Sequence, residues 1–476
     1  MRVIAAFLVN TAINFIIGLF VAKFLGPDQF GRFALALAIG MVLQTLTLEW
    51  IRLSTVRFYS DKSRMQQPEL RATLDAAFGI ISIIVTAAFI AYLLSGVDVS
   101  LSPSLVGLAV AAAIANGLFD YHTAVVRARF LDRLYGQLIV TKNIMALVLT
   151  VGGAFVSGSA LMALTGACLS MAGSVLIAHK ALSDSMSPLR IAQRPLAAQF
   201  ARYSLPIVAA NVLYLMIPLV NRSLVTSFFG FAETGQFSLA YDIGTRLIAA
   251  IGSALDVLLF QLAVRAETEH GSARAKEQVA QNMAVVFAIL APAAAGLWLV
   301  LPSVEHLIVP EQFRGPFGVY LTLMLPGLFC FGLMNFAINA VFQIEKKTLP
   351  LIAAAVAACI ANPIFVWLLP RGADASSLAI AQAAAFAVAL AVLAFFATVS
   401  GARWPRAYDI GLTIAGVALM TLALLPLRAM PPGVVTLLAQ CLGGALIFGT
   451  VVAVFDIAGL RRIALETLQK LRRRGI

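Results

Sequence analysis

Apolar residues in this chain come in long runs with short polar breaks, end to end, and the runs do not alternate residue by residue. Fourteen runs are long enough to be membrane spans: about 3–24, 33–59, 71–95, 104–129, 134–157, 160–182, 199–228, 237–264, 277–302, 316–343, 348–369, 376–400, 408–428 and 433–458. About 20 apolar residues in a helix cross a hydrocarbon core of roughly 30 Å. A β-barrel would instead need short segments alternating between lipid and lumen. The expected fold class is therefore an all-α polytopic membrane protein of about fourteen transmembrane helices.

Composition supports this. Of 476 residues, 61% are hydrophobic and 12% charged, against about 25% charged in a typical soluble domain. The net charge of +12 would suggest nucleic acid in a soluble protein, but its placement along the chain gives another reading, and no nucleic-acid partner is expected. With the N-terminus in the cytoplasm, 25 of the 34 Lys and Arg fall in inner segments and five (Lys23, Arg32, Arg314, Arg371, Arg428) in outer ones. Positive charge marks the cytoplasmic side of short loops, so both termini are expected inside. The first run has no polar cleavage region after it and reads as a span rather than a signal peptide. The longest inner break, "KALSDSMSPLRIAQRP" at 180–195, reads as a linker, and the basic tail from 461 on is expected to lie against anionic lipid.

One phrase occurs twice. "FLGPDQFGRFALALAIG" (24–40) returns 204 residues later as "FFGFAETGQFSLAYDIG" (228–244), with eight of seventeen positions identical. Six spans separate the copies, so both run the same way through the membrane and the repeat is parallel. It predicts two six-helix bundles: an N-terminal lobe at 1–182, a linker at 183–198 and a C-terminal lobe at 199–400. Spans thirteen and fourteen (401–460) and the tail at 461–476 follow. Gly26 and Gly230 are expected to end one helix, with Gly31 and Gly235 just before the next, in a tight outer turn.

Four cations lie inside the spans and away from their ends: Arg52, Lys142, Arg222 and Arg246. An ionisable group at mid-bilayer costs about 2.5–3.5 kcal/mol on insertion scales, so each needs a partner or a task. Thr45, Glu49, Arg52 and Tyr59 share one face of span two, and Asn116, Asp120, Thr123 and Arg127 one face of span four. Asn211, Tyr214, Pro218 and Arg222 do so on span seven, and Asp242, Arg246, Ser253 and Asp256 on span eight. Turned toward a shared cleft, Arg52, Arg222 and Arg246 would be steps for an anionic group, since guanidinium stays charged and grips phosphate oxygens in pairs. Glu49 with Arg52, and Asp242 with Arg246, are equally spaced to neutralise each other as structural ion pairs. The Lys142 stem has the alternative of snorkelling to the inner surface. Asp120 with nearby His122 is a candidate proton carrier, or a set of hydrogen bonds between helices. Pro206 and Pro218 would bend span seven, as a gate or as a static kink.

The four cysteines are spaced neither for a metal nor for catalysis, and no nucleotide, paired-His or serine-nucleophile motif is present. No enzyme activity, metal or cofactor is expected. On its residues the chain resembles a known family. "AKFLGPDQFGRFALALAIGMVLQTLTLEWIRLSTVRF" is similar to the start of the polysaccharide-type flippases of the multidrug/oligosaccharidyl-lipid/polysaccharide exporter superfamily, through Leu25, Gly26, Pro27, Asp28, Phe30, Gly31 and Phe33. "NRSLVTSFFGFAETGQFSLAYDIG" resembles their seventh-span signature, with Asn221 where that family often has Asp. The resemblance implies movement of undecaprenyl-pyrophosphate-linked oligosaccharide from the inner to the outer leaflet of a bacterial cytoplasmic membrane, for O-antigen or exopolysaccharide export. It implies alternating access around a cationic cavity containing Arg52, Arg222 and Arg246. A polysaccharide polymerase and chain-length machinery would be further partners. A drug or cation exporter of the same superfamily is the alternative, and a membrane glycan polymerase a more distant one.

Overall fold

The computed structural model describes residues 2–97, 100–345, 347–370 and 372–462, and all its regular structure is helical. Lys346, Arg371 and the basic tail from Ile463 on, which entered the charge and lipid readings above, lie outside the described residues.

Fourteen long helices match the fourteen runs. They are α1 (2–25), α2 (27–58, with a break at Leu48), α3 (Glu69–Ser95), α4 (Pro103–Ala128), α5 (Asp132–Ser157), α6 (Ala160–Ile177) and α7 (Arg194–Phe229). Then come α8 (Phe231–His270), α9 (Ser272–Leu307), α10 (Pro316–Ile344), α11 (Leu349–Leu368), α12 (Ser376–Val399), α13 (Ala407–Arg428) and α14 (Val434–Phe455).

The expected outer turns are tighter than the sequence suggested. α1 passes into α2 through Gly26 alone (φ 69°, ψ 172°), and α7 into α8 through Gly230 alone (φ 87°, ψ 179°). Both glycines occupy a backbone region essentially closed to residues with a Cβ. Gly31 and Gly235 therefore lie inside the following helices rather than ahead of them. The near-identical dihedrals show that the repeat is one of backbone geometry as well as of residues.

α8 and α9 outrun their apolar stretches. Arg265–Glu269 and Arg274–Glu277 pairs, one helical turn apart, support the polar extensions, and Gly271, at φ 81°, separates the two helices. At the other extreme, α6 stops at Ile177 and the remainder of its predicted span forms a separate short helix, His179–Leu182.

The chain divides into two compact units, Met1–Leu239 with Ala373–Ala375, and Ala240–Gly372 with Ser376–Ile476. In the first unit, small residues let helices approach closely. A Cβ on Gly40 of α2 would meet the Ala109 carbonyl of α4 at 2.8 Å, and one on Gly117 of α4 would press on Leu48. α7 packs against α2, with Ser54 and Ser204 sharing a hydrogen bond of 2.9 Å. Leu48, Ile51, Leu70, Leu74, Phe78, Tyr121 and Phe200 form a buried apolar cluster joining α2, α3, α4 and α7.

The loops sort by end, as alternation requires. Arg64, after α2, holds Asp184, after α6, at 2.6 and 3.0 Å, and Arg129 reaches Asp61 at 3.3 Å. At the opposite end, Gln29 accepts from the Ala160 amide at 3.1 Å and Phe24 meets Phe155 edge-on. In the second unit α11 packs on α12, α12 on α10, and α13 with α14 on α9. There the Lys276–Glu345, Lys347–Glu345 and Arg403–Glu277 pairs gather one set of loops.

Candidate functional site: a charged constellation within the first helical unit

Where α2 crosses the middle of the first unit its helix is interrupted. Leu48 leaves the regular path (φ −114°, ψ −20°), and Ile51 bonds back to its carbonyl over three residues instead of four. Glu49 follows immediately. α5 is distorted too: residues Ala146–Val151, which begin three residues after Asn143, form a π-helix. Such local rewinding is frequent at functional sites.

The polar side chains of four helices meet around these distortions. Arg52 Nε donates to both carboxylate oxygens of Glu49, at 3.0 and 2.9 Å, and its Nη2 reaches the same group. Gln44, one turn before the break, donates to Asp120 at 3.4 Å and accepts from Asn116 at 3.1 Å. Lys142 is buried; its ammonium donates to Asn14 of α1 at 3.1 Å and lies 5.8 Å from the Phe119 ring centroid. Asn143 donates to Asn10 at 2.9 Å. Asp120 stands within electrostatic reach of Arg52, Glu49 and Lys142. The result is two cations and two carboxylates among neutral amides, enclosed by apolar helices. Glu49 is almost covered (10% side-chain exposure), whereas the Arg52 side chain keeps 35% of its surface open.

The other sequence candidates are placed differently. Arg222 is buried and donates to the Ala34 carbonyl of α2 at 3.3 Å. Ala34 precedes Glu49 by fifteen residues, about 22 Å along a helix axis, so Arg222 belongs to another level of the unit. His122 does not join Asp120. Its Nδ1 lies 2.9 Å from the Leu118 carbonyl and its ring packs edge-on against Tyr121. Asp242 and Arg246 sit on α8 in the second unit, the first half-buried and the second exposed. Pro206 and Pro218 lie within an unbroken α7.

Several participants escaped the sequence reading. Gln44, Asn10, Asn14 and Asn143 are uncharged amides, whose presence in an apolar run is a weaker signal than a charge; the four-residue spacing of Asn10 and Asn14 was the available clue. Asp75 accepts from Arg71 at 3.0 and 2.9 Å and from the Tyr121 hydroxyl at 2.5 Å. Arg71 is itself buried and stacks over the Tyr121 ring at 5.0 Å. In the second unit, α8, α9, α13 and α14 line an open apolar cavity of about 500 Å³, with Leu247, Ile251, Leu297, Met420 and Phe448 among its walls.

Fold and site together define a multi-pass helical membrane protein with charged groups enclosed among its spans. The same fold occurs in solved transport proteins. The chain superposes on a structure of the lipid II flippase MurJ in an inward closed conformation with a TM-score of 0.74, over 96% of this chain and 99% of that one, at 14% identity. It also superposes on an inward-facing multidrug resistance MATE family transporter of the MOP superfamily, with a TM-score of 0.60, over 82% of this chain and 94% of that one, at 15% identity. A MATE structure in complex with MaL6 matches with a TM-score of 0.56, over 83% and 93% of the two chains, at 15% identity. No individual curated protein matches significantly in sequence. A family model does, over residues 20–315, well over half of the chain. The chain belongs to the polysaccharide biosynthesis protein family.

Proposed function

We propose that this protein is a flippase that moves undecaprenyl-pyrophosphate-linked oligosaccharide from the inner to the outer leaflet of the bacterial cytoplasmic membrane by alternating access. The observation that carries this reading is the enclosed constellation of Arg52, Lys142, Glu49 and Asp120. Charges inside a membrane bundle are costly and mark the path of a polar or charged substrate. Arg52 is paired yet partly open, so its guanidinium has donors to offer a pyrophosphate while Glu49 holds it in place. Arg222 and Arg246 are the further cations of the path. Asp120, Glu49 and Asp242 are the groups through which an ion gradient would act. The apolar cavity of the second unit is chemically suited to a prenyl chain.

The charge bias of the loops supports a cytoplasmic position for both termini. The two lobes of the transport cycle are those of the sequence repeat, 1–182 and 199–400, with 183–198 as linker. Family membership supports a glycan cargo, and the flippase fold supports transport rather than catalysis. Glu49 and Asp120 in the same constellation favour a second reading, a cation exporter, because carboxylates are what a cationic cargo would meet. A deletion strain separates the two. Lipid-linked oligosaccharide should accumulate on the inner leaflet and be cleared by the wild-type gene but not by Arg52→Gln. Unchanged glycan export, with sensitivity to cationic dyes instead, would establish the exporter.

A further inference from the structure

At one end of the second unit, the start of α9 and the connection between α12 and α13 line a half-open cavity of about 510 Å³. Arg274, Arg403 and Arg406 line it together with Glu277, Gln278 and Trp404. Glu277 is shared by two guanidiniums: Arg274 donates to it at 2.6 Å, and Arg403 donates to its other oxygen. Arg406 makes no ion pair among the described residues. The lining thus carries three positive charges against one negative. The connection is held in place by Lys276, whose ammonium donates to the Gly401 carbonyl at 3.4 Å.

The position of the cavity sets the kind of ligand. α12 ends at Val399 and α13 starts at Ala407, so the arginines stand where two spans emerge from the apolar layer. Trp404 and Tyr408 are exposed beside them, as are Phe395 and Val399 on the last turns of α12. Exposed Trp and Tyr at span ends mark the headgroup level of a bilayer, and basic pockets between spans at that level hold anionic headgroups. A soluble phosphate would have no use for the apolar flank; an acyl chain would lie along it.

We propose that this cavity is a binding site for the phosphodiester headgroup of a resident anionic phospholipid. Arg403 and Arg406 grip the phosphate, Arg274 adds charge, and Trp404 seats the glycerol region. The site shares no residue with the charged constellation of the first unit and is independent of the transport reading.

Native mass spectrometry of the full chain released from lipid nanodiscs tests it. The discs contain phosphatidylcholine alone, or phosphatidylcholine with phosphatidylglycerol. The wild type should retain phosphatidylglycerol several-fold over phosphatidylcholine. Arg403→Gln/Arg406→Gln should lose that preference, and Arg406→Gln alone, which disturbs no ion pair, should lose part of it with an unchanged melting curve. Excess inorganic phosphate should not displace the lipid. Equal phosphatidylglycerol retention by the wild type and both variants would overturn the proposal. So would displacement by inorganic phosphate, which would make this a soluble-anion site.

Discussion

Arg52 and Glu49 pose the sharpest question at the residue scale. Their pairing is what two charges one helical turn apart would do for structure alone, and also what a binding guanidinium needs to be held in place. The two roles separate on mutation. Arg52→Gln leaves a nearly covered carboxylate without its partner and should cost about 1–3 kcal/mol, less than a fully buried pair because Arg52 is partly exposed. Glu49→Gln/Arg52→Gln removes both charges and should recover most of that stability in a thermal melt. If Arg52 binds the cargo, the double variant will fold and still not transport; recovery of transport would reduce Arg52 to a structural partner. The rewound turn at Leu48 was not legible in the sequence, because a one-residue break leaves no signature in hydropathy, and the amides of Asn14 and Asn143 were only faintly so, because a neutral polar side chain in an apolar run demands less explanation than a charge. The charged members were, because a charge in an apolar run demands an explanation.

Two copies of one phrase pack against each other at the scale of elements. A Cβ on Gly31 of α2 would collide with the Phe231 carbonyl and come within 2.9 Å of the Gly235 nitrogen. A Cβ on Gly235 of α8 would collide with the Pro27 carbonyl and stand 3.1 Å from the Gly31 nitrogen. The contact is reciprocal, and Arg32 over the Phe231 ring at 4.1 Å lies beside it. The repeated turn, which in the sequence served to align two halves, is also a packing surface, and one-dimensional similarity could not show that. Gly31→Val or Gly235→Val should lower the detergent melting temperature, since overpacking a tight contact costs about 1–3 kcal/mol. Gly79→Val on α3, where an added Cβ would meet open space, should not. At the opposite end, Arg64 holds the Asp184 carboxyl below the usual carboxylate range by hydrogen bonding. A depressed carboxylate contributes stability above its unfolded value, about 3.9, and loses it as pH falls through the folded one. Asp184→Asn should therefore cost about 1 kcal/mol at neutral pH, and the difference from wild type should begin to shrink in melts below about pH 4 and disappear once the pH has passed through the lowered folded value.

Over the whole molecule, hydropathy alone located all fourteen helices, because the length of an apolar run is set by bilayer thickness and survives any arrangement of the helices. Ends were less legible. α8 and α9 continue into polar sequence held by Arg265–Glu269 and Arg274–Glu277, and single glycines replaced the expected outer loops. The site was legible only in part: sequence spacing put Glu49 with Arg52 on one face, but the meeting of Asp120, Lys142 and Asn14 depends on how α1, α2, α4 and α5 pack. The central claim is that the enclosed constellation carries a lipid-linked anionic glycan across the bilayer. The direct measurement is movement of a fluorescent prenyl-pyrophosphate oligosaccharide between the leaflets of proteoliposomes containing purified protein. The account predicts movement by the wild type and loss of at least tenfold in rate, about 1.4 kcal/mol, in Lys142→Gln and in Arg52→Gln. Movement at the wild-type rate by a folded Lys142→Gln/Arg52→Gln variant would contradict it.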